Sequence, residues 1–338
     1  MRIICIGSAT KDIFFPTTEG VIMETPEDLT SQRKIAFELG AKFKIENRYE
    51  APGGVAANVA QGLARLGIEV GCYSKIGDDN LGDWIKSEIK KENVDVGLIT
   101  AAKNCVSDLS AIIVDSRSGE RIIFSNQKAN GGLEIMPDKI KNFNWIFIGD
   151  LHGEWGKILD DIFKAAEESH IEVAFNPRQS NIHDDAKKII EAIGKCEILL
   201  VNKDEAIEIL TYNKQLTTDN KEMNDEIYLI KELKKLGSAA VAITDGKRGA
   251  WAYDGNKIYF SSSTENNPAD ATGAGDAFSS GFLAAHIQKK NIEESLKWGI
   301  ANGSNVVKYY GAKEGLLSEA DIKEKIKSIS VKIVSDAS

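Results

Sequence analysis

Asp270-Ala271-Thr272-Gly273-Ala274-Gly275-Asp276-Ala277-Phe278-Ser279-Ser280-Gly281-Phe282-Leu283-Ala284-Ala285 sets a run of small residues before a segment of small and apolar residues. That layout reads as a turn opening a buried helix. A helix start leaves backbone N–H groups without partners. With Gly273, Ala274 and Gly275 adding little bulk, those donors can close on a phosphoryl oxygen, aided by the helix dipole. Asp276 falls in the first turn, where it can accept a proton from an incoming hydroxyl or simply cap the helix; the segment alone supports both equally. The Gly-x-x-x-x-Gly-Lys-Ser/Thr loop is absent. The dinucleotide pattern fails because its third glycine position is Phe278, which removes most support for a nicotinamide enzyme.

Outward from this turn, apolar strand-like runs alternate with amphipathic segments. Strands are expected at 2–6, 70–76, 145–148, 172–175, 198–201 and 239–244, and helices at 55–66, 82–92, 157–169, 184–193, 226–236 and 277–288. Such alternation implies βαβ units and a doubly wound, three-layer α/β/α core. Two stretches break the rhythm, about 13–52 and 105–126, the second with extended pieces Ser110 to Val114 and Arg121 to Phe124 around a turn at Ser116 to Gly119. They are expected to form a small β-rich lid; the alternative is two unrelated insertions. Residues 213–224 read as a solvated excursion. No repeat or Pro-rich linker divides the chain, so 1–338 is expected to be one domain.

The 338 residues are 42% hydrophobic and carry a formal charge of −9, which argues against nucleic-acid binding. Cys5, Cys72, Cys105 and Cys196 are scattered, three of them in or beside apolar runs, and read mainly as buried free thiols. His152, His170 and His183 lack zinc-site spacing and no Cys-x-x-Cys occurs, so any metal is expected to be hard and oxygen-bound. No run is long enough to span a membrane and the N-terminus runs directly into a strand, so a cytoplasmic protein is expected.

Asp270 to Asp276, close to Asp-Thr-x-Gly-Ala-Gly-Asp, strongly resembles the C-terminal signature of the ribokinase-like, or PfkB, carbohydrate kinase family. Four further segments match in order. Gly7 to Asp12 resembles the family's strand-end segment, which makes Asp12 a ligand of acceptor hydroxyls. Pro52-Gly53-Gly54 through Asn58 to Gly67 is similar to its N-terminal signature, with Gly53 and Gly54 approaching the acceptor and Asn58 bonding it; Gly77 to Gly82 continues it as packing. Asn202-Lys-Asp-Glu205 matches Asn-x-x-Glu, implying Mg²⁺ held through water, although the same spacing caps helices. Thr244, Gly246 and Gly249, within Ala242 to Ala250, are implied to line the nucleotide site, with Asn302 facing adenine. Lys247 and Arg248 could meet phosphate or stay solvated.

The resemblance implies transfer of the ATP γ-phosphate to a hydroxyl of a sugar or sugar-like molecule, with Asp276 as general base beside the Gly273–Gly275 anion hole. Ala271 replaces a frequent threonine, weakening a K⁺ site that Asp270 and Thr272 would otherwise help form. Asn176-Pro-Arg178 matches an acid-sugar pattern in part, which makes Arg178 a candidate carboxylate binder. Replacing Gly275 is expected to impair turn and catalysis together. A nucleoside kinase is the alternative on the same fold, and a non-catalytic ligand sensor a third reading. Partners are expected to be small molecules only, plus a second copy through the lid.

Overall fold

The computed structural model describes residues 1–25, 33–214, 221–265 and 267–336. The opening strand β1 (Arg2–Ile6) is apolar from Ile3 onward because both of its faces are covered there. Ile4 and Ile6 enter the core on one face and Ile3 and Cys5 the core on the other. The chain then leaves the main sheet for β2 (Thr10–Thr17), the hairpin β3 (Val21–Glu24) and β4 (Arg33–Ala36), and β5 (Tyr49–Gly53). It returns through helix α1 (Val55–Arg65), β6 (Glu69–Gly77), α2 (Asn80–Lys91) and β7 (Asp95–Ala102). A second excursion makes β8 (Leu109–Asp115) and β9 (Arg121–Asn126).

After the short α3 (Pro137–Ile140) come β10 (Trp145–Ile148), α4 (Trp155–Ser169), β11 (Glu172–Phe175), α5 (Gln179–Ile193), β12 (Ile198–Asn202), α6 (Lys203–Lys214), α7 (Glu226–Lys234) and β13 (Ala240–Thr244). The remainder is β14 (Ala250–Tyr253), β15 (Lys257–Ser261), α8 (Ala274–Ile287), α9 (Ile292–Val306), α10 (Glu319–Lys325) and β16 (Lys332–Asp336). Among the described residues no helix is long and apolar enough to cross a membrane.

The main sheet runs β16-β15-β14-β13-β12-β11-β10-β1-β6-β7. Strands β13 through β7 pair in parallel, whereas β14, β15 and β16 are antiparallel. Helices α1, α2, α8 and α9 pack on one face and α4 to α7 on the other, giving the expected three layers. Neither β7 nor the antiparallel extension is legible in the crossover rhythm: β7 is a half-exposed strand with mixed patterning, and β14 follows a tight return at Gly249. Helix α5 starts five residues before the expected Asp184, because a kink at Asp185 joins two helical pieces. The expected excursion at 213–224 lies partly outside the described residues.

The two excursions form one sheet, β5-β2-β8-β9, which rules out unrelated insertions. Its small core is Phe14, Ala51, Ile112 and Val114, with Tyr310 packed against it. Two contacts dock it on the α8 side: Tyr49 stacks on Tyr310 with centroids 4.5 Å apart, and the Gly119 carbonyl in the β8–β9 turn accepts from Ala271 N at 3.0 Å. Strand β1 lies between β10 and β6, so the chain winds away from it in both directions. Crevices open outside the carboxyl ends of strands at such a switch point.

Candidate active site

The carboxyl edge of the main sheet and the facing side of the small sheet enclose one continuous cleft. From the main sheet come Ser8 beyond β1, Asp150 beyond β10, Asn176 beyond β11, Asn202 ending β12 and Thr244 ending β13. The small sheet contributes alternate residues, as a period of two requires: Thr10 and Asp12 from β2, Ser110 and Ile112 from β8, Arg121, Ile123 and Ser125 from β9. Asp12 therefore sits on a strand, not in a strand-end loop, and pairs in register with Ala51 and Ser110.

A second chamber, lined by Gly246, Gly249, Ala274, Gly303 and Val307 among others, adjoins the first. Arg121, Asn202, Thr244, Gly275 and Phe278 belong to both.

At the junction, α8 begins on Gly273, which adopts φ +73° and carries no side-chain cap. A Cβ there would lie 2.3 Å from Ala312 Cβ, so conformation and space both demand glycine. Gly275 differs: its φ is not positive, and a Cβ would meet nothing within 4 Å. The expectation that Gly275 maintains the turn is corrected accordingly; it leaves room in the cleft instead. Among the described residues no acceptor meets the N–H groups of Gly275 and Asp276, so both remain open toward the junction.

Asp276 makes no cap. Its Oδ2 accepts from Asn58 Nδ2 on α1 at 2.8 Å, leaving Asn58 Oδ1 buried without a partner. Burial raises its carboxyl to about 7; the Asn58 hydrogen bond opposes this, Asp150 and Asp12 reinforce it, and Arg121 opposes it. Asp12 is raised to about 6, first by burial and against hydrogen bonds from Ser110 and Thr10. Gly53 lies so close that a Cβ would be 2.0 Å from Asp12 Oδ2. Gly54, at φ +91°, presses on the Ser8 carbonyl.

Asn202 and Glu205 form a reciprocal capping box: Glu205 N donates to Asn202 Oδ1 and Asn202 N to Glu205 Oε2, each at 2.9 Å. Both also line the cleft. Burial pushes the Glu205 carboxyl up to about 8, with Glu208, Asp204 and Asp276 adding to it. Asp270 is fully buried; its two oxygens accept from Thr272 N (2.9 Å) and Gly311 N (3.0 Å). Thr272 Oγ1 is buried with no partner.

Two expectations are corrected, those for Asn302 and Arg178. Asn302 does not reach the nucleotide chamber: it is fully buried, donating to Ala277 O and Ser280 Oγ and accepting from Leu317 N. Gly299, three residues earlier, and the adjacent Gly303 line the chamber instead. Arg248 is engaged by Asp245 and Glu226. Arg178 stays out of the cleft lining and meets His152 Nδ1 at 2.7 Å. The cysteines behave as expected: burial raises the thiols of Cys5, Cys72 and Cys196.

Sequence reasoning missed Asp150, Ser8, Arg121 and Ser125. Asp150 is 8% exposed and accepts from Ser8 N (3.1 Å) and Ser8 Oγ (2.5 Å), a pairing across 142 positions. Arg121 and Ser125 had a usable signal, the alternation along β9.

The family model of the pfkB family carbohydrate kinases matches residues 29–319. The chain belongs to that family. A pfkB relative, the ribokinase of Bacillus subtilis (strain 168), is 27% identical over 293 residues, covering 85% of this chain and 89% of its own. The same fold is seen in ribokinase from Cryptococcus neoformans var. grubii serotype A in complex with ADP, at 22% identity and TM-score 0.76 over 96% of this chain and 99% of that one. It recurs in the Methanocaldococcus jannaschii nucleoside kinase, at 22% identity and TM-score 0.71 over 96% and 98%. Nearly the whole length of both solved structures lies on this pfkB chain.

Proposed function

We propose that ATP occupies the chamber at Thr244, Gly246 and Gly249, that a sugar-like acceptor occupies the cleft at Asp12, Asn58 and Asp150, and that Asp276 takes the proton of the attacked hydroxyl. The observation that carries this is the junction: the open amides of Gly275 and Asp276 and the Asp276 carboxylate stand where the two chambers meet. Phosphoryl transfer depends chiefly on in-line placement and charge stabilisation. The amides and Arg121 offer stabilisation at the transferring group, while Asp12, Asp150 and the free Asn58 Oδ1 accept from acceptor hydroxyls. The small sheet acts as a lid that keeps water from the phosphoryl group.

Mg²⁺ fits this donor set only through its waters. Among the described residues no cluster of three His, Cys, Asp or Glu could hold a metal directly. A magnesium ion needs no more than one or two carboxylates beside phosphate oxygens and retained waters. Glu205 and Asn202 would hold it, and it would neutralise phosphate charge. The orphaned Thr272 Oγ1 beside Asp270 fits a K⁺ ligand.

A sugar is favoured over a nucleoside acceptor because no aromatic side chain of the small sheet lines the cleft among the described residues, so a base would have no lid platform on which to stack. ADP release with Mg-ATP across hexoses, pentoses, acid sugars, sugar phosphates and nucleosides tests the reading. Turnover on nucleosides alone would reverse the acceptor class, and no turnover on any class would favour a ligand sensor.

With Asp276 required as carboxylate and its proton affinity centred near 7, kcat/KM should fall about tenfold per pH unit below about 7 and level off above about 8. A flat profile from pH 6 to 9 would remove Asp276 as base.

A second copy of the chain is the proposed cover for the outer side of the small sheet, where Phe124 is 65% exposed. Sedimentation should give a dimer mass that Phe124→Glu reduces to monomer; a monomeric wild type would end this reading.

A further inference from the structure

Behind the cleft, Asp150 meets a third donor that does not touch the cleft. His152 Nε2 lies 3.2 Å from Asp150 Oδ2, the oxygen that also accepts from Ser8 Oγ. The imidazole is buried, 7% exposed. Its other nitrogen, Nδ1, faces Arg178 Nη1 at 2.7 Å. A guanidinium has donors only and keeps its proton throughout the working range of a protein. Nδ1 must therefore present its lone pair, which leaves the ring proton on Nε2, pointed at Asp150.

The three groups come from separate elements. Asp150 and His152 follow β10, whereas Arg178 precedes α5, and its carbonyl accepts from Asn181 N and Ile182 N as that helix starts. Ser8 closes the arrangement on the other side: its Oγ accepts from Val55 N and its carbonyl from Ala57 N, both at the start of α1. That helix also carries Asn58, the partner of Asp276.

We propose that His152 and Arg178 are positioning residues for acceptor binding: Arg178 fixes the Nε2–H tautomer of His152, and that N–H, with Ser8, holds the Asp150 carboxylate facing the cleft. Asp150 has two lone-pair directions per oxygen. Three donors on the protein side leave one direction, turned to the acceptor, and stop the carboxylate rotating away from it. The inference rests on the cleft being the acceptor site, and it asks nothing of the nucleotide chamber.

Two measurements on the full chain separate it from that premise. Long-range proton–nitrogen correlation on histidine-labelled protein should show His152 with a protonated Nε2 and a bare Nδ1, and Arg178→Met should abolish that single-tautomer pattern. This readout needs no acceptor, so it stands whether or not the acceptor screen succeeds. An Nδ1–H tautomer or an imidazolium in the wild type at pH 8 overturns the proposal.

The second measurement is kinetic, on whichever acceptor supports turnover. His152→Phe, which removes the donor, should raise the acceptor KM about tenfold while the ATP KM stays within about twofold. His152→Gln, which keeps an N–H donor and an acceptor oxygen, should stay within about threefold of wild type. A folded His152→Phe with wild-type acceptor KM, or one in which both KM values rise together, overturns the proposal. If that variant does not fold, Arg178→Met decides by the same KM split.

Discussion

Asp276→Asn is expected to lower kcat about a thousandfold, the scale on which a positioned general base contributes, while ADP affinity stays near wild type. The substitution is nearly isosteric, and the amide can still face Asn58 Nδ2 with its oxygen. Stability should move the other way. The folded carboxyl, at about 7, lies above the unfolded value near 4, so between these the native state binds the extra proton. The native state is therefore favoured below about pH 4, loses that advantage as pH rises, and carries the full penalty above about 7. Removing the charge should raise Tm at pH 8 and leave it unchanged near pH 4. Calorimetry at the two pH values, beside ADP titration and turnover, checks this; turnover within tenfold of wild type would dismiss Asp276 as base.

Gly53→Ala should raise the acceptor KM about a hundredfold and leave ATP affinity alone. The added Cβ would occupy space now held by Asp12, 2.0 Å from Oδ2 and 2.3 Å from Cγ. Asp12 is buried against Thr10 and has little freedom to retreat. Overpacking of this kind costs about 1–3 kcal/mol, and the displaced carboxylate no longer meets the acceptor. Combining the change with Asp12→Ala should restore the Tm without restoring activity, because the clash goes but the ligand is still missing. An unchanged acceptor KM in the single variant would mean that Asp12 does not bind the acceptor.

What the sequence made legible followed from local chemistry. The small residues before α8 announced an open helix start, and strand–helix alternation announced the layers, because both patterns lie within a few residues of one another. Asp150 could not be found that way: its setting is made by Ser8, at the same carboxyl end of the neighbouring parallel strand but 142 positions away in sequence. Asn302 failed for a related reason, since a step of one residue along α9 decides whether a position faces the chamber, as Gly303 does, or the seam with α8. The two glycines of the turn look alike in sequence and differ in φ and in the room around them, which is why Gly273 and not Gly275 is the one the backbone requires. Asn202 and Glu205 showed both of their readings at once, the box and the cleft wall being made by the same residues.

The hydrogen bond from Ala271 N to the Gly119 carbonyl ties the far tip of the small sheet to the loop that leads into α8. On the proposed reading, sheet and loop would move together: an acceptor that drew the sheet down would also settle the loop, and a nucleotide that settled the loop would also draw the sheet down. Linkage makes that traffic symmetric, so whatever factor the sugar adds to nucleotide affinity, the nucleotide must add to sugar affinity. The enzyme would then be slow to commit to either ligand alone and would close in earnest only on the pair, sparing ATP from water when no acceptor is present.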